Sequence, residues 1–395
     1  MQYLLIEPRP DISDVLKSIG DAEHVYIKFL SANDLGLTGA HQSGIYLSRD
    51  CYPLFMERPG RDGENVDRDV KIQWNDITST SSFKWYGSKS RSEYRLTRTR
   101  EFFRGREEHY TGSLLVLCRL PQEKYYAWVL NDDENIESVL NFTGLSPSET
   151  NCLLKFDLDE RLKSSAENLL EKYGGVFPET ETIARDTWGI YNTLYGSAMS
   201  DPDRMIVDLI KIEYAVFRFL EKEIYRPLLE KKFETVENLL SVSLEIHNRR
   251  KSRAGRSLEL HLRYIFDRMG VEYSSGAVSE IGKRPDFIFP SEEAYRNMDF
   301  PEDRLFMLGA KTTCKDRWRQ VISEADRVKE KYLFTLQQGF TGSQLVEMKS
   351  AGVIPVIPSG YHDKCRSEDR PMLITLSEFI ERVTAANGKQ AALFL

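Results

Sequence analysis

The chain has 395 residues, 29% of them charged and 41% hydrophobic, with a formal net charge of −7. That length exceeds one ordinary core, so two domains are expected, and the composition excludes a disordered or fibrous chain. No stretch approaches the ~18 consecutive apolar residues of a membrane span, and the opening MQYLLIEPRP lacks the pattern of a signal peptide, so a cytoplasmic protein without a membrane partner is expected.

The first part, to about residue 172, reads as β-rich. Short apolar runs stand at His24 to Leu30, Gly44 to Leu47, Ser113 to Cys118 and Tyr125 to Leu130, separated by turn residues such as Arg58-Pro59-Gly60. Many short strands at irregular spacing suit a compact barrel or sandwich. Gly174-Gly175 is the best candidate boundary. Asp201-Pro202 then has the N-cap and first-turn signature of a helix, which the spacing carries to Arg226-Pro227. A second helix is predicted over Ser257 to Met269, followed by two strands, a helix over Trp318 to Lys331 and a strand over Tyr332 to Leu336. A helix over Ser343 to Ser350, a strand over Val353 to Ile357 and a helix over Ser377 to Val383 complete the series. That order predicts an α/β domain, a mixed sheet flanked by helices. The expected division is an N-terminal domain over 1–172, a linker over 173–200 and a C-terminal domain over 201–395.

Charge is unevenly spread. Lys84 to Arg106 holds eight bases against two acids, and Arg249, Arg250, Lys251, Arg253 and Arg256 have no acid between them. Acids gather at Asp132-Asp133-Glu134 and from Asp157 to Glu160. Two phosphate-facing surfaces and two solvated loops both fit the basic clusters. The five cysteines, Cys51, Cys118, Cys152, Cys314 and Cys365, are odd in number and dispersed, and read as reduced thiols.

The chemistry concentrates between Arg284 and Glu324. Asp286 heads one short strand, Lys311 ends the next, and Glu324 lies on the predicted helix after it. Phosphodiester hydrolysis needs a neutralised phosphate and an activated water, and magnesium sites use one or two carboxylates with water and substrate oxygens. Asp286 and Glu324 supply carboxylates, the Ala310 carbonyl is a further ligand, and Lys311 can orient the water. The plain alternative is a strand-end acid, a surface lysine and a helix-face acid that never meet. Lys315, Asp316 and Arg317 match the acceptors and amino groups of guanine and cytosine in the major groove, or else a polar helix start. No G-x-x-x-x-G-K-[ST] or G-x-G-x-x-G occurs, so no nucleotide cofactor is expected, and the histidines lack zinc-ligand spacing. A non-cleaving DNA-binding regulator is the competing class.

The runs NRRKSRAGRSLE from Asn248, RPDF from Arg284 and KTTCKDRWRQ from Lys311 closely resemble the EcoRII family of type II restriction endonucleases, within the PD-(D/E)xK nuclease superfamily. VYIKFLSANDLGLTGAHQSGIY, Val25 to Tyr46, and KSRSEYRLTR, Lys89 to Arg98, resemble its N-terminal half. The likeness is dense over Asn248 to Pro358 and thinnest over residues 48–83. It implies a C-terminal endonuclease fold and an N-terminal DNA-binding pseudobarrel like that of certain plant transcription factors. It further implies a homodimer that cuts double-stranded DNA with Mg2+ at a short CC/GG-flanked site resembling CCWGG. Asp286, Lys311 and Glu324 fall on the family's catalytic positions and Glu259 on a further acid. Gly309 stands where the superfamily expects an acid, which this branch supplies from Glu324. Lys315, Asp316 and Arg317 match base-reading positions. His41, Tyr46, Lys89, Arg91, Glu93, Arg95 and Arg98 fall on or beside contacts to a second, effector DNA site, although Tyr94 stands in place of a base. The family resemblance also implies autoinhibition, relieved when the N-terminal domain binds that second site.

Overall fold

A computed structural model describes residues 10–39, 44–88, 92–154, 158–196, 201–230, 233–280 and 283–388. After helix α1 (Ile12–Asp21), the first half carries strands β1 (His24–Phe29), β2 (Ile45–Leu47), β3 (Asn65–Trp74), β4 (Ile77–Tyr86) and β5 (Glu93–Thr97). The short helix α2 (Arg100–Phe103), strands β6 (Leu114–Leu120) and β7 (Lys124–Leu130), helix α3 (Asp133–Thr143) and strand β8 (Cys152–Leu153) follow. One sheet in the order β2-β5-β4-β3-β7-β6-β1-β8 curls until its ends nearly meet. Side chains stitch the seam: Lys28 Nζ on β1 donates to the Tyr46 carbonyl on β2 at 2.7 Å, and Leu153 N on β8 donates to Asp50 at 3.0 Å. Trp74, Phe83 and Tyr94 fill the interior, while Val15, Ile136 and Val139 of the helices cover an outer face. This is the expected pseudobarrel. Sequence reading missed α1, β5, α3 and the long hairpin β3–β4; in the hairpin the outer half of β3 is solvent-facing and only Val70, Ile72 and Trp74 are inside.

Two helices precede the one that starts at Asp201-Pro202 and pack with it. Helix α4 (Glu160–Tyr173) and helix α5 (Thr180–Tyr195) pack Leu162, Ala166, Leu169, Ile190 and Tyr191 into the C-terminal core. A packed helix therefore occupies the expected linker. Helix α6 (Pro202–Leu229) is capped by Asp201, as its sequence predicts, and runs slightly past Pro227. Helix α7 (Val236–Arg268) is far longer than the predicted Ser257 to Met269 helix, spanning about 50 Å at 1.5 Å per residue. Its first half is exposed, including Val236, Leu239, Leu240 and Leu244 at helical spacing, and sequence reading did not extend the helix that far. Buried charges pin α7 to α6. Glu213 meets Arg253 at 2.9 Å and His261 Nε2 at 2.7 Å, while Trp188 donates to His261 Nδ1 at 3.0 Å, which leaves the imidazole proton on Nε2.

Strands β9 (Ser274–Ser275) and β10 (Phe287–Phe289), helix α8 (Glu292–Arg296), strands β11 (Phe306–Lys311) and β12 (Lys331–Thr335), helix α9 (Gly342–Ser350), strand β13 (Val353–Val356) and helix α10 (Leu376–Ala386) complete the chain. The sheet order is β13-β12-β11-β10-β9, antiparallel from β9 to β11 and parallel from β11 to β13. This mixed sheet flanked by helices is the predicted α/β fold.

The predicted helix over Trp318 to Lys331 does not form. Arg317–Ser323 is a 3-10 segment, Glu324 is extended, and Ala325 adopts φ +50°. Trp318, Val321, Ala325 and Val328 are all buried at helix-like spacing, which explains the mistaken expectation. The turn exists because Val321 sits on β11. A Cβ at Gly309 would lie 2.6 Å from Val321 Cγ1, so only glycine admits this packing. No helix among the described residues is long and apolar enough to cross a membrane.

Candidate active site

Asp286 stands immediately before β10, and its neighbour across the sheet is the end of β11. The Ala310 amide donates to Asp286 Oδ2 at 2.7 Å, and Lys311 Nζ lies 3.6 Å from the same oxygen. Glu324 reaches this group from the turn beyond Val321. Its burial, then its proximity to Asp286, push its carboxyl up to about 7, and its Oε2 is buried without a hydrogen-bond partner. Glu259 projects from α7, accepts from Arg256 at 3.2 Å, and is likewise shifted upward by burial and by Asp286. The fold thus gathers Asp286, Lys311, Glu324 and Glu259, which are far apart in sequence. Among the described residues no three His, Cys, Asp or Glu side chains form a ready metal cage. Two carboxylates with an unpartnered oxygen, beside the Ala310 backbone, nevertheless fit a hard cation that keeps several waters.

A cavity of about 250 Å³ opens onto Ala310, Lys311 and Glu259, and its other wall is Glu137, Leu140 and Asn141 of α3. The N-terminal half therefore covers the candidate site directly. The loop Lys315–Arg317 is more tightly engaged. The buried Asp133 carboxylate accepts the three successive amides of Lys315 at 2.9 Å, Asp316 at 2.7 Å and Arg317 at 2.9 Å. Arg317 forms an ion pair with Glu137, and Lys315 Nζ donates to the Thr111 carbonyl. Burial pulls the Lys315 ammonium down to about 7. Asp316 shares a hydrogen bond with Asp133, and this, then burial, raises its carboxyl to about 6. Gln337 and Gln338 add bonds of 2.6 Å to the Gly112 and Pro147 carbonyls, and Arg218 pairs with Glu149 at 2.7 Å.

Sequence reading marked Asp132-Asp133-Glu134 as acidic but gave Asp133 and Glu137 no role. The signal was an acidic first turn on a helix facing a basic loop, visible only once the halves are docked.

Several described members of the two basic clusters are already paired. Arg253 is buried against the Tyr214 and Phe217 rings and Arg249 pairs with Glu245 at 2.8 Å. Arg250 binds Glu221 and donates to the Asn141 carbonyl at 3.0 Å. In the first half, Arg95 pairs with Glu93 at 3.0 Å, Arg98 with Asp69 at 2.9 Å, and Lys84 with Asp67. Tyr46 and Arg95 are register partners on β2 and β5, so those two share one region. His41, Lys89 and Arg91 lie outside the described residues.

Comparison with known proteins places this architecture. The family described as EcoRII C terminal matches residues 217–380, and that described as Restriction endonuclease EcoRII, N-terminal, matches residues 20–149. The type II restriction enzyme EcoRII of Escherichia coli is 34% identical over 384 residues, covering 91% of this chain and 94% of that one. SsoII of Shigella sonnei, another type II restriction enzyme, is 26% identical over 39% of this chain and 51% of its own. Among solved structures, metal-depleted Ecl18kI in complex with uncleaved, modified DNA has 19% identity and a TM-score of 0.45, covering 58% of this chain and 85% of that one. The PspGI–substrate DNA complex has 17% identity and a TM-score of 0.45, covering 54% of this chain and 95% of that one. The protein is thus a type II restriction endonuclease, a DNA-binding nuclease. Within that class the chain belongs to the EcoRII family.

Proposed function

We propose that this enzyme cuts double-stranded DNA at a short CC/GG-flanked site of the CCWGG type, as a Mg2+-dependent homodimer held closed until its N-terminal domain binds a second copy of the site. The observation that carries the reading is the convergence of Asp286, Lys311 and Glu324, with Lys311 Nζ 3.6 Å from Asp286. Asp286, Glu324 and the Ala310 carbonyl would hold the ion. A bound divalent ion supplies charge neutralisation at the phosphate and a more acidic water. Lys311 orients that water opposite the 3′ oxygen and guides its proton. The water oxygen bonds to phosphorus as the bond to the 3′ oxygen breaks, leaving 5′-phosphate and 3′-hydroxyl ends. Glu259, half-buried beside Asp286, supports the charge balance.

Lys315, Asp316 and Arg317 read bases in this proposal, and the docked α3 supports the closed state. Asp133 and Glu137 occupy the same donors that a DNA backbone and base edges would use. Tyr46, Glu93, Arg95 and Arg98 are the candidate effector contacts, Arg95 being buried against Glu93, and the resemblance adds His41, Lys89 and Arg91, outside the described residues. The packing of α4 with the C-terminal core supports ending the effector domain before Glu160. A second copy is supported by α7, where Val236, Leu239, Leu240 and Leu244 are exposed and residues 238–244 carry no charge. Buried thiols at Cys51, Cys118, Cys314 and Cys365 support a reducing, cytoplasmic setting.

The test is cleavage of a plasmid with several CCWGG sites, in Mg2+ or EDTA, beside Lys311→Ala. Discrete Mg2+-dependent fragments absent from the variant are expected. Fragments that persist in Lys311→Ala would remove Lys311 from the chemistry, and binding without cutting in Mg2+ would reject the CCWGG assignment.

A further inference from the structure

The backbone that follows Glu324 is held in an unusual way. Ala325 is fully buried and adopts φ +50°, a left-handed conformation that is strained for a non-glycine residue. Such a conformation persists only where neighbours enforce it. Here three side chains from three different segments grip three consecutive residues. Lys331 Nζ donates to the Ala325 carbonyl, Glu280 accepts from the Asp326 amide at 3.1 Å, and Tyr295 Oη accepts from the Arg327 amide at 3.3 Å. Tyr295 in turn donates to Glu280, so two of the three clamps are joined.

Lys331 is the clamp with no evident reason to be a lysine. It is the first residue of β12, only 6% exposed, and its own amide is bonded to Gly352 at 2.8 Å, so its stem is fixed by the sheet. Burying an ammonium is costly unless it is paired. Its bonded partner is a carbonyl, and the carboxylates of Asp326, Glu280 and Glu324 act on it electrostatically. A neutral residue would fill this strand position at lower cost. Beyond balancing those carboxylates, the ammonium holds the carbonyl one residue beyond Glu324 in place.

We infer that Lys331 is a positioning residue that fixes the left-handed Ala325 and thereby aims Glu324 at the metal. The inference rests on the proposed assignment of Glu324 as a metal ligand. Lys331 does not touch the reacting atoms; it acts through the Ala325 carbonyl. Without it Ala325 relaxes toward an ordinary backbone conformation, and the Glu324 carboxylate leaves its place beside Asp286.

The test titrates Mn2+ into the full chain and follows the free ion by its paramagnetic resonance, so cleavage is not the readout. Glu324→Gln, Lys331→Met, and Lys331→Met with Ala325→Gly are compared, each checked for folding by circular dichroism. Lys331→Met is expected to weaken Mn2+ binding on the order of tenfold, close to Glu324→Gln, because 1.4 kcal/mol is a factor of ten. Adding Ala325→Gly is expected to recover several-fold of that loss, because glycine adopts positive φ without strain. A lysine serving stability alone would give a lower melting temperature with Mn2+ binding intact. Should Lys331→Met not fold, Lys331→Gln, with its shorter donor, replaces it in the same comparison. Wild-type Mn2+ binding in the Lys331 variant, with binding weakened by Glu324→Gln, overturns the inference alone. A lysine-variant loss that Ala325→Gly does not recover also overturns it. Unchanged binding in Glu324→Gln overturns the ligand assignment and the inference with it.

Discussion

Two neighbouring parts of one strand-and-turn segment are in opposite conditions. Asp286, Lys311 and Glu324 are grouped for chemistry, Lys311 lines a cavity with Glu259, and Glu324 Oε2 lacks a partner. Four to six residues beyond Lys311, the Lys315–Arg317 loop has its amides, its ammonium and its guanidinium all taken by the N-terminal domain. The difference teaches that domain docking engages the Lys315–Arg317 loop and leaves the catalytic candidates grouped; on the proposed reading, restraint would fall on reading DNA rather than on assembling catalytic groups. A carboxylate receiving three amides, with a second one on the arginine, imitates an anionic ligand. On the proposed reading, opening would require something to replace those bonds.

The sharpest way to separate the two regions is Lys311→Ala. Proton management by one positioned group contributes on the order of 10²–10⁴-fold, so cleavage should fall by that factor while thermal unfolding and domain docking stay as in the parent. A large drop in melting temperature would mean that Lys311 holds the fold. Asp133→Ala breaks the other region. Hydrogen bonds to a buried charged group are worth about 1.5–3 kcal/mol each, although three on one carboxylate are not additive. Single-site DNA cleavage should rise on the order of 100-fold, with the Mg2+ requirement unchanged. No rise in a folded variant would dissociate α3 docking from restraint.

Gly309→Glu should damage the catalytic side through packing. Its Cβ would lie 2.6 Å from Val321 Cγ1, and overpacking of this kind costs about 1–3 kcal/mol. Denaturant unfolding should record the loss, and Val321→Ala in the same chain should return part of it.

The smallest effect is a pH dependence of docking. Asp316 is raised to about 6 when covered, so its contribution to closure is present at low pH and lost as pH rises through about 6. Lys315 is lowered to about 7, so its contribution is present at high pH and lost as pH falls through about 7. Docking should therefore be weakest between those values. Small-angle scattering from pH 5.5 to 8 checks this, and a monotonic trend would show that one group dominates.

The legible parts of the molecule were those in which a local pattern matches a local structure. The apolar runs of β1, β6, β7 and β12 announce themselves, as does the Asp201 cap on α6. The trio Asp286, Lys311 and Glu324 was readable as residue types at intervals, and the family resemblance added Glu259. Unreadable parts depend on contacts distant in sequence. The exposed outer half of β3 takes its order from pairing with β4 and not from an apolar stripe. The turn carrying Glu324 has buried residues at helical spacing, yet Gly309 and the clamp on Ala325 draw it out of a helix. Arg253 looks like a phosphate binder until Glu213 and two aromatic rings are seen around it.

The close approach of Val321 to Gly309 bears on how such active sites can change by descent. A side chain at 309 and a branched one at 321 exclude each other. An acid can therefore be accommodated at 309 only once residue 321 is small. A chain that first shortens residue 321 is the bridge between the two layouts, with the lysine two positions after 309 standing still throughout.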